Sequence, residues 1–388
     1  MPKTPAMNPA PPSSAAVPTA SPAVSPGAGR LASLDAYRGF VMLLMMAEVL
    51  ELAKVAKAFP DSPLWQFLAW HQSHVAWEGC SLHDLIQPSF SFLVGVALPF
   101  SLAARRARGQ SDGQLAAHAL WRAVVLVALG IFLRSVGKPM TNFTFEDTLT
   151  QIGLGYPVLF LLGLRPRRAA WVALAAILVG VWGAWTAWGG ADPWAKNANL
   201  GHAFDVWFLN LFPRPERFVE NRGGYLTLSF IPTLATMILG LLAGRWLQDR
   251  ALPRRFVAAG IVCLALGWAA AALGLCPIVK RIWTPSWVLY SGGWCFLLLA
   301  AFHTAIDVKG WKAWAWPLEV VGMNSIAAYL IAHLWEKFIF GALETHLGKD
   351  VWSLAGPGLA PLLHGAAVLA VMWGMLVWMR RRGILIRV

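Results

Sequence analysis

The sequence predicts an all-α fold, a polytopic membrane helical bundle of about ten transmembrane helices, and three observations predict it. Hydrophobic residues make up 57% of the 388-residue chain and charged residues only 13%, against about 25% charged in an ordinary soluble domain. Apolar runs of about 20 residues, the length that crosses the hydrocarbon core of a bilayer, recur along the chain, and mean hydropathy is +0.56. The 32 Lys and Arg outnumber the 19 Asp and Glu, giving a net charge of +13, and lie in the short connections between the runs. In a soluble protein that balance would suggest nucleic acid or an acidic partner. Here it sets topology, and no nucleic-acid partner is expected.

Residues 1–30 are Pro, Ala and Ser with almost no large apolar side chain, so they predict a disordered tail that cannot bury enough surface to offset the entropy of ordering. They lack the basic start and short apolar core of a cleavable signal peptide, and the first span is expected to serve as an uncleaved anchor. From 31 to 388 the chain reads as one transmembrane domain. Candidate spans fall near 39–57, 84–104, 119–137, 150–164, 169–189, 226–246, 256–276, 286–307, 316–340 and 357–379. Backbone polar groups in lipid must be satisfied within the segment, so the runs are helices rather than strands. With the N-terminus inside, inner loops and tails hold about 20 of the 32 Lys and Arg, among them Arg105, Arg106 and Arg108, Arg165, Arg167 and Arg168, and Arg380 to Arg382. This bias predicts a protein of the cell (inner) membrane with both termini cytoplasmic. It puts the long polar loops 58–83 and 190–225 on the far side.

Four cysteines (Cys80, Cys263, Cys276 and Cys295) show no CxxC or Cys/His metal spacing, so no zinc site or disulfide framework is expected. A Cys80 to Cys276 bridge outside the cytoplasm stays open. The segment 70–88, WHQSHVAWEGCSLHDLIQP, packs His71, His74, Glu78, His83 and Asp84 into a connection between spans. Such a cluster suits metal binding or acid and base chemistry, but His-x-x-His without a third fixed ligand argues against a metal. In the first predicted span, Glu48, Glu51 and Lys54 recur at i, i+3 and i+6 on one helical face. In the ninth, Ser325, Tyr329, His333 and Lys337 recur every fourth residue with Asn324 and Glu336 beside them. Ionisable groups at membrane depth face a cavity or a partner. Arg38 and Arg122 sit near the cytoplasmic ends of their runs, where a guanidinium holds a phosphate by paired hydrogen bonds or snorkels to lipid phosphates. Walker A, GxSxG and GxGxxG motifs are absent from the sequence. An enzyme acting across the membrane and a transporter or flippase of a polar or acylated solute both fit these features.

Six stretches in order, RLASLDAYRG (30–39), HVAWEGCSLHDLIQPSFSFLVG (74–95), TLTQIGLGY (148–156), LATMILGLLAGRWL (234–247), IWTPSWVLYSGGW (282–294) and IDVKGWKAWAWPLEVVGMNSIAAYL (306–330), resemble the heparan-alpha-glucosaminide N-acetyltransferase family of polytopic membrane acyltransferases. The resemblance implies acetyl-CoA as co-substrate from the cytoplasmic side, an amino sugar or glycan acceptor on the extracytoplasmic side, and a homodimer; the residue spacing gives no metal, and the composition puts the chain in contact with membrane lipid. The histidine that begins the family's His-x-x-Trp-x-Gly motif maps onto His74 and is the expected catalytic residue, with Asp84 or Glu78 orienting its ring. Arg38 and Arg122 are then expected to hold coenzyme phosphates, Asn324 and Ser325 to donate to the thioester oxygen, and Glu48, His71 and His333 to contact the acceptor. Departures fall at Glu48, where the family carries asparagine, at Glu78, where many bacterial members carry a second histidine, and at Gln151-Ile152-Gly153, which lacks the family's arginine.

Overall fold

The computed structural model describes Met1 and residues 31–386. The expected tail over 1–30 therefore lies outside the described residues, Met1 apart. The helices are α1 (Ala32–Met46), α2 (Leu52–Ala58), α3 (Pro63–His71), α4 (Ile86–Arg106), α5 (Asp112–Ser135), α6 (Thr148–Leu164), α7 (Arg167–Trp188), α8 (Leu200–Phe208), α9 (Phe230–Gln248), α10 (Pro253–Ala272), α11 (Pro285–Phe302), α12 (Trp316–Met323), α13 (Ser325–Leu347) and α14 (Ala360–Arg381). Among the described residues no strand forms, and one isolated bridge pairs Glu78 with Val279. Among the described residues eight helices are long and apolar enough to cross a membrane; α6 and α1, of 17 and 15 residues, are the shorter members of the expected set.

Short connections at 107–111, 165–166 and 249–252 turn the chain back on itself, so the helices they join run antiparallel. They gather Arg105, Arg106 and Arg108, Arg165 and Arg167, and Arg250 and Arg254 at one end, called here the basic end. The longer connections, 136–147, 189–199 and 273–284 among them, form the loop end. The ion pair of Arg167 with Asp249 ties two basic-end turns together.

Helix α9 is the most enclosed span, with 83% of its apolar window buried, whereas α10 and α7, at 17% and 22%, turn most of their surface outward. This is the distribution lipid exposure demands, because an outer helix needs no polar face. Close backbone approach sets the centre: a Cβ on Gly95 of α4 would stand 1.9 Å from the Met237 carbonyl of α9, and one on Gly240 1.9 Å from that of Phe92. Small residues at such a crossing let two backbones meet in a membrane, where hydrophobic association supplies little drive.

Two expected spans are corrected. The first, expected as one helix over 39–57, differs: α1 starts earlier and stops at Met46, a 3₁₀ turn covers Ala47–Leu50, and Glu51 takes a left-handed φ of 48°. The side chain of Gln72 stabilises the break, donating to Ala47 O (2.5 Å) and accepting from Leu52 N–H (3.0 Å). The single helical face expected for Glu48, Glu51 and Lys54 cannot run across this break, so Glu48 and Lys54 part: Glu48 turns to His83 and Lys54 pairs with Glu51 at 2.6 Å. The ninth span is two helices, α12 and α13, broken at Asn324 (φ −123°, ψ 40°). The Asn324 amide donates to Ile384 O (2.7 Å) and accepts from Ile386 N–H (3.0 Å), so it anchors the segment after α14. All four cysteines are free thiols, which removes the Cys80 to Cys276 bridge.

Candidate active site

The site is built on the connection from α3 to α4. Asp84, in the 3₁₀ turn His83–Leu85 ahead of α4, has a buried side chain. A carboxylate is an acceptor only, and donors surround it. Oδ2 accepts from Val75 N–H (3.2 Å) and Ser81 N–H (3.1 Å), with the Ser81 hydroxyl at 3.0 Å. Oδ1 lies 2.8 Å from His74 Nδ1 and 3.2 Å from Lys280 Nζ. Nδ1–H therefore donates to the carboxylate, and the second ring nitrogen, Nε2, keeps its lone pair. The His74 side chain is 38% exposed, and it lines a cavity of about 400 Å³.

Burial is the largest influence on His74 and pushes its pKa below the ordinary imidazole value; the Asp84 hydrogen bond opposes this, while Lys280 and His83 add to the lowering. Burial likewise pushes Lys280 down, and Asp84 opposes it. Lys280 comes from the segment before α11, which the Glu78–Val279 bridge and the Gly79 N–H to Ile278 O bond (3.0 Å) hold against the His74 loop.

His83 stands beside His74, ring centroids 4.6 Å apart, and its Nε2–H donates to Glu48 Oε1 at 2.9 Å. From α4, Gln87 reaches the cavity and donates to Gln151 of α6 (3.0 Å), which also accepts from Thr233 of α9 (2.9 Å). The opposite wall comes from α13, where His333 stacks on Tyr329 at 4.1 Å and donates through Nδ1–H to the Tyr329 carbonyl (2.9 Å). Arg134, Glu146 and Tyr225 close the loop-end side. Apolar Met45, Met46, Ile86 and Phe90 floor the cavity. An unprotonated imidazole nitrogen, a fixed carboxylate behind it and an apolar floor can accept a proton or carry an acyl group.

Of the residues singled out in the sequence, the structure brings His74, Asp84, Glu48 and His333 together. Glu78 does not join them: it stands exposed off the cavity wall, and Asp84 is the carboxylate at hydrogen-bond distance from His74. His71 also lies off the wall, its Nδ1 accepting from Leu82 N–H at 3.2 Å. Asn324 is corrected, since both of its amide atoms hold backbone near the C-terminus. Half-buried Ser325 follows it at the basic-end start of α13, away from the cavity. Arg38 pairs with Asp35 (3.3 Å), and Arg122 lies over the Tyr156 ring at 4.7 Å; both stand in the basic-end halves of their helices. Lys280, Ser81 and Gln87 were missed. Lys280 sits beside Arg281 just ahead of a span, a place where basic residues ordinarily anchor an interface, so no local signal marks it.

No family model matches the chain. It is 24% identical over 370 residues to the Homo sapiens heparan-alpha-glucosaminide N-acetyltransferase, covering 80% of this chain and 53% of the relative. It is 23% identical over 375 residues to the Mus musculus heparan-alpha-glucosaminide N-acetyltransferase, covering 80% and 54%. It spans about half the length of the curated relatives it matches. Three of the six stretches that resemble the heparan-alpha-glucosaminide N-acetyltransferase family line the cavity: 74–95 supplies His74 and His83, 148–156 supplies Thr148 and 306–330 supplies Tyr329.

Proposed function

We propose that the protein is a membrane acetyltransferase that takes acetyl from cytoplasmic acetyl-CoA and passes it to the amine of an amino sugar or glycan at the loop end. The observation that carries this reading is the His74–Asp84 pair at 2.8 Å, with His74 Nε2 free at a polar cavity among membrane-spanning helices. His74 Nε2 removes the proton of the attacking amine as its nitrogen bonds to the thioester carbonyl and the carbon–sulfur bond breaks, or it first takes the acetyl group itself and hands it on. Coenzyme A leaves as the thiolate. Asp84 fixes the ring through Nδ1 and stabilises the charge that forms on it. Glu48 and His333 receive the acceptor, and Arg38 and Arg122, toward the basic end, hold the coenzyme's phosphates. The basic end then faces the cytoplasm, as the positive-inside bias requires, in the inner membrane.

The test is acetyl-CoA binding to the detergent-solubilised protein by calorimetry, alongside His74→Ala, followed by transfer of labelled acetyl to glucosamine. Saturable binding by both proteins with transfer by the unmodified one alone supports the reading. Absence of binding by any acyl-CoA overturns it.

A further inference from the structure

The Lys280 side chain is 5% exposed, with Nζ 3.2 Å from Asp84 Oδ1 and 3.1 Å from His74 Nδ1. An ammonium has three donors and no acceptor, and the Nδ1–H also points at Asp84, so two donors converge on one carboxylate oxygen. Taking a lysine out of water is costly. A carboxylate behind a histidine has two effects that oppose one another in a base: it orients the ring, and it favours the imidazolium, which has no lone pair to use. A cation on the same oxygen cancels the second effect and leaves the first.

We propose that Lys280 is a positioning residue for acyl transfer: by sharing Asp84 Oδ1 it lets the carboxylate hold the His74 ring while keeping that ring unprotonated, with Nε2 turned into the cavity. The other groups facing His74 do not supply this. His83 adjoins the ring, and Glu48 behind it is engaged with His83. Arg281 donates to Gly223 O and Val75 O, and burial pushes the Cys80 thiol up to about 12, so it stays neutral. Across the cavity stand His333, Glu336 and Lys337 of α13, and Arg134, Glu146 and Asp147 at the α5–α6 turn. Asp84 and Lys280 are the groups within hydrogen-bond distance of Nδ1.

The experiment is carbethoxylation of the full chain in detergent with diethyl pyrocarbonate, read at His74 by tandem mass spectrometry as a function of pH. The reagent attacks the unprotonated ring, so the midpoint reports His74 protonation. The midpoint should lie below the ordinary value of about 6.5 in the unmodified protein and rise by about one pH unit or more in Lys280→Met. Lys280→Gln, which keeps a donor for Asp84 and loses the charge, should shift it likewise should the methionine variant not fold. Lys280→Arg should leave it in place. An unmoved midpoint in either neutral variant overturns the proposal. The inference rests on the reading of His74 as the acyl-transfer histidine, but the modification needs neither donor nor acceptor, so an inactive protein with a shifted midpoint would sink that reading and leave the electrostatic role of Lys280. In an active protein, the rising limb of the transfer pH profile moves up with the midpoint in Lys280→Gln while the KM for acetyl-CoA holds.

Discussion

His83 Nε2 and Glu48 Oε1 stand 2.9 Å apart, and this contact joins the end of the broken first helix to the turn that opens α4. The His83 side chain is 5% exposed and that of Glu48 56%, so the pair is a buried donor satisfied by a partner at the cavity surface. Glu48→Ala leaves the buried Nε2–H without an acceptor. The expected cost is about 1 kcal/mol, held low because the lost partner is itself half in water. Glu48→Gln keeps an acceptor oxygen and should melt with the unmodified protein. Thermal unfolding in detergent separates the two, and equal losses in both variants would contradict the assignment.

Asp84 differs because it is buried and charged on both sides of the contact. Asp84→Asn turns one acceptor oxygen into a donor facing Lys280, His74 or the 75–81 backbone, and leaves a buried ammonium uncompensated. Removing one partner of such a pair costs about 3–5 kcal/mol. The variant should lose acetyl transfer and unfold at markedly lower denaturant concentration, whereas His74→Ala should lose transfer and keep most of its stability. Similar unfolding of Asp84→Asn and His74→Ala would show that Asp84 carries no such load.

The sequence made the fold class legible because apolar length is a local property, and seven of the ten expected spans reappear as long apolar helices. The breaks were not legible. Gln72 splints the chain between Ala47 and Leu52, and Asn324 is tied to residues 384 and 386; both devices act between segments that no periodicity relates. The same distinction runs through the site. His74 and Asp84 share one dense stretch and could be singled out together, but Lys280 meets Asp84 across 196 positions. Glu78 was attractive for its closeness in sequence to His74, yet the loop turns it outward.

Helix α4 carries Asp84 at its head and is seated on α9 through glycines. Gly240→Leu would drive a side chain into the Phe92 backbone, which a Cβ alone approaches to 1.9 Å. Overpacking a core costs about 1–3 kcal/mol where side chains can move, and here the obstacle is backbone, so the loss should exceed that range. The expected result is poor recovery of monodisperse protein. Gly341→Leu, at a helical glycine with open space around its Cβ position, should be tolerated, since leucine also favours the helix over glycine, and an equal loss there would show that the loss at Gly240 does not come from the crossing.

Asp205 of α8 gives a pH dependence of opposite sense to that of His74. Its carboxylate is 2% exposed and accepts Thr227 N–H at 3.0 Å through Oδ2. Burial pushes its pKa up to about 6, against the opposing Thr227 hydrogen bonds. The unfolded value is about 3.9, so between pH 4 and 6 the folded state binds more protons than the unfolded one and stability falls as pH rises; above about pH 6 the loss is complete. His74, with its folded value lowered, destabilises the protein instead as pH falls below about 6.5. Asp205→Asn keeps an acceptor for Thr227 and removes the charge. It should therefore stabilise the protein above pH 6 by up to about 2–3 kcal/mol, and the gain should fade toward pH 4. The His74 contribution is common to both proteins and cancels in their difference. Melting temperatures of the pair at pH 5 and pH 8 test this, and a difference that does not grow with pH would mean that the Asp205 charge is already accommodated.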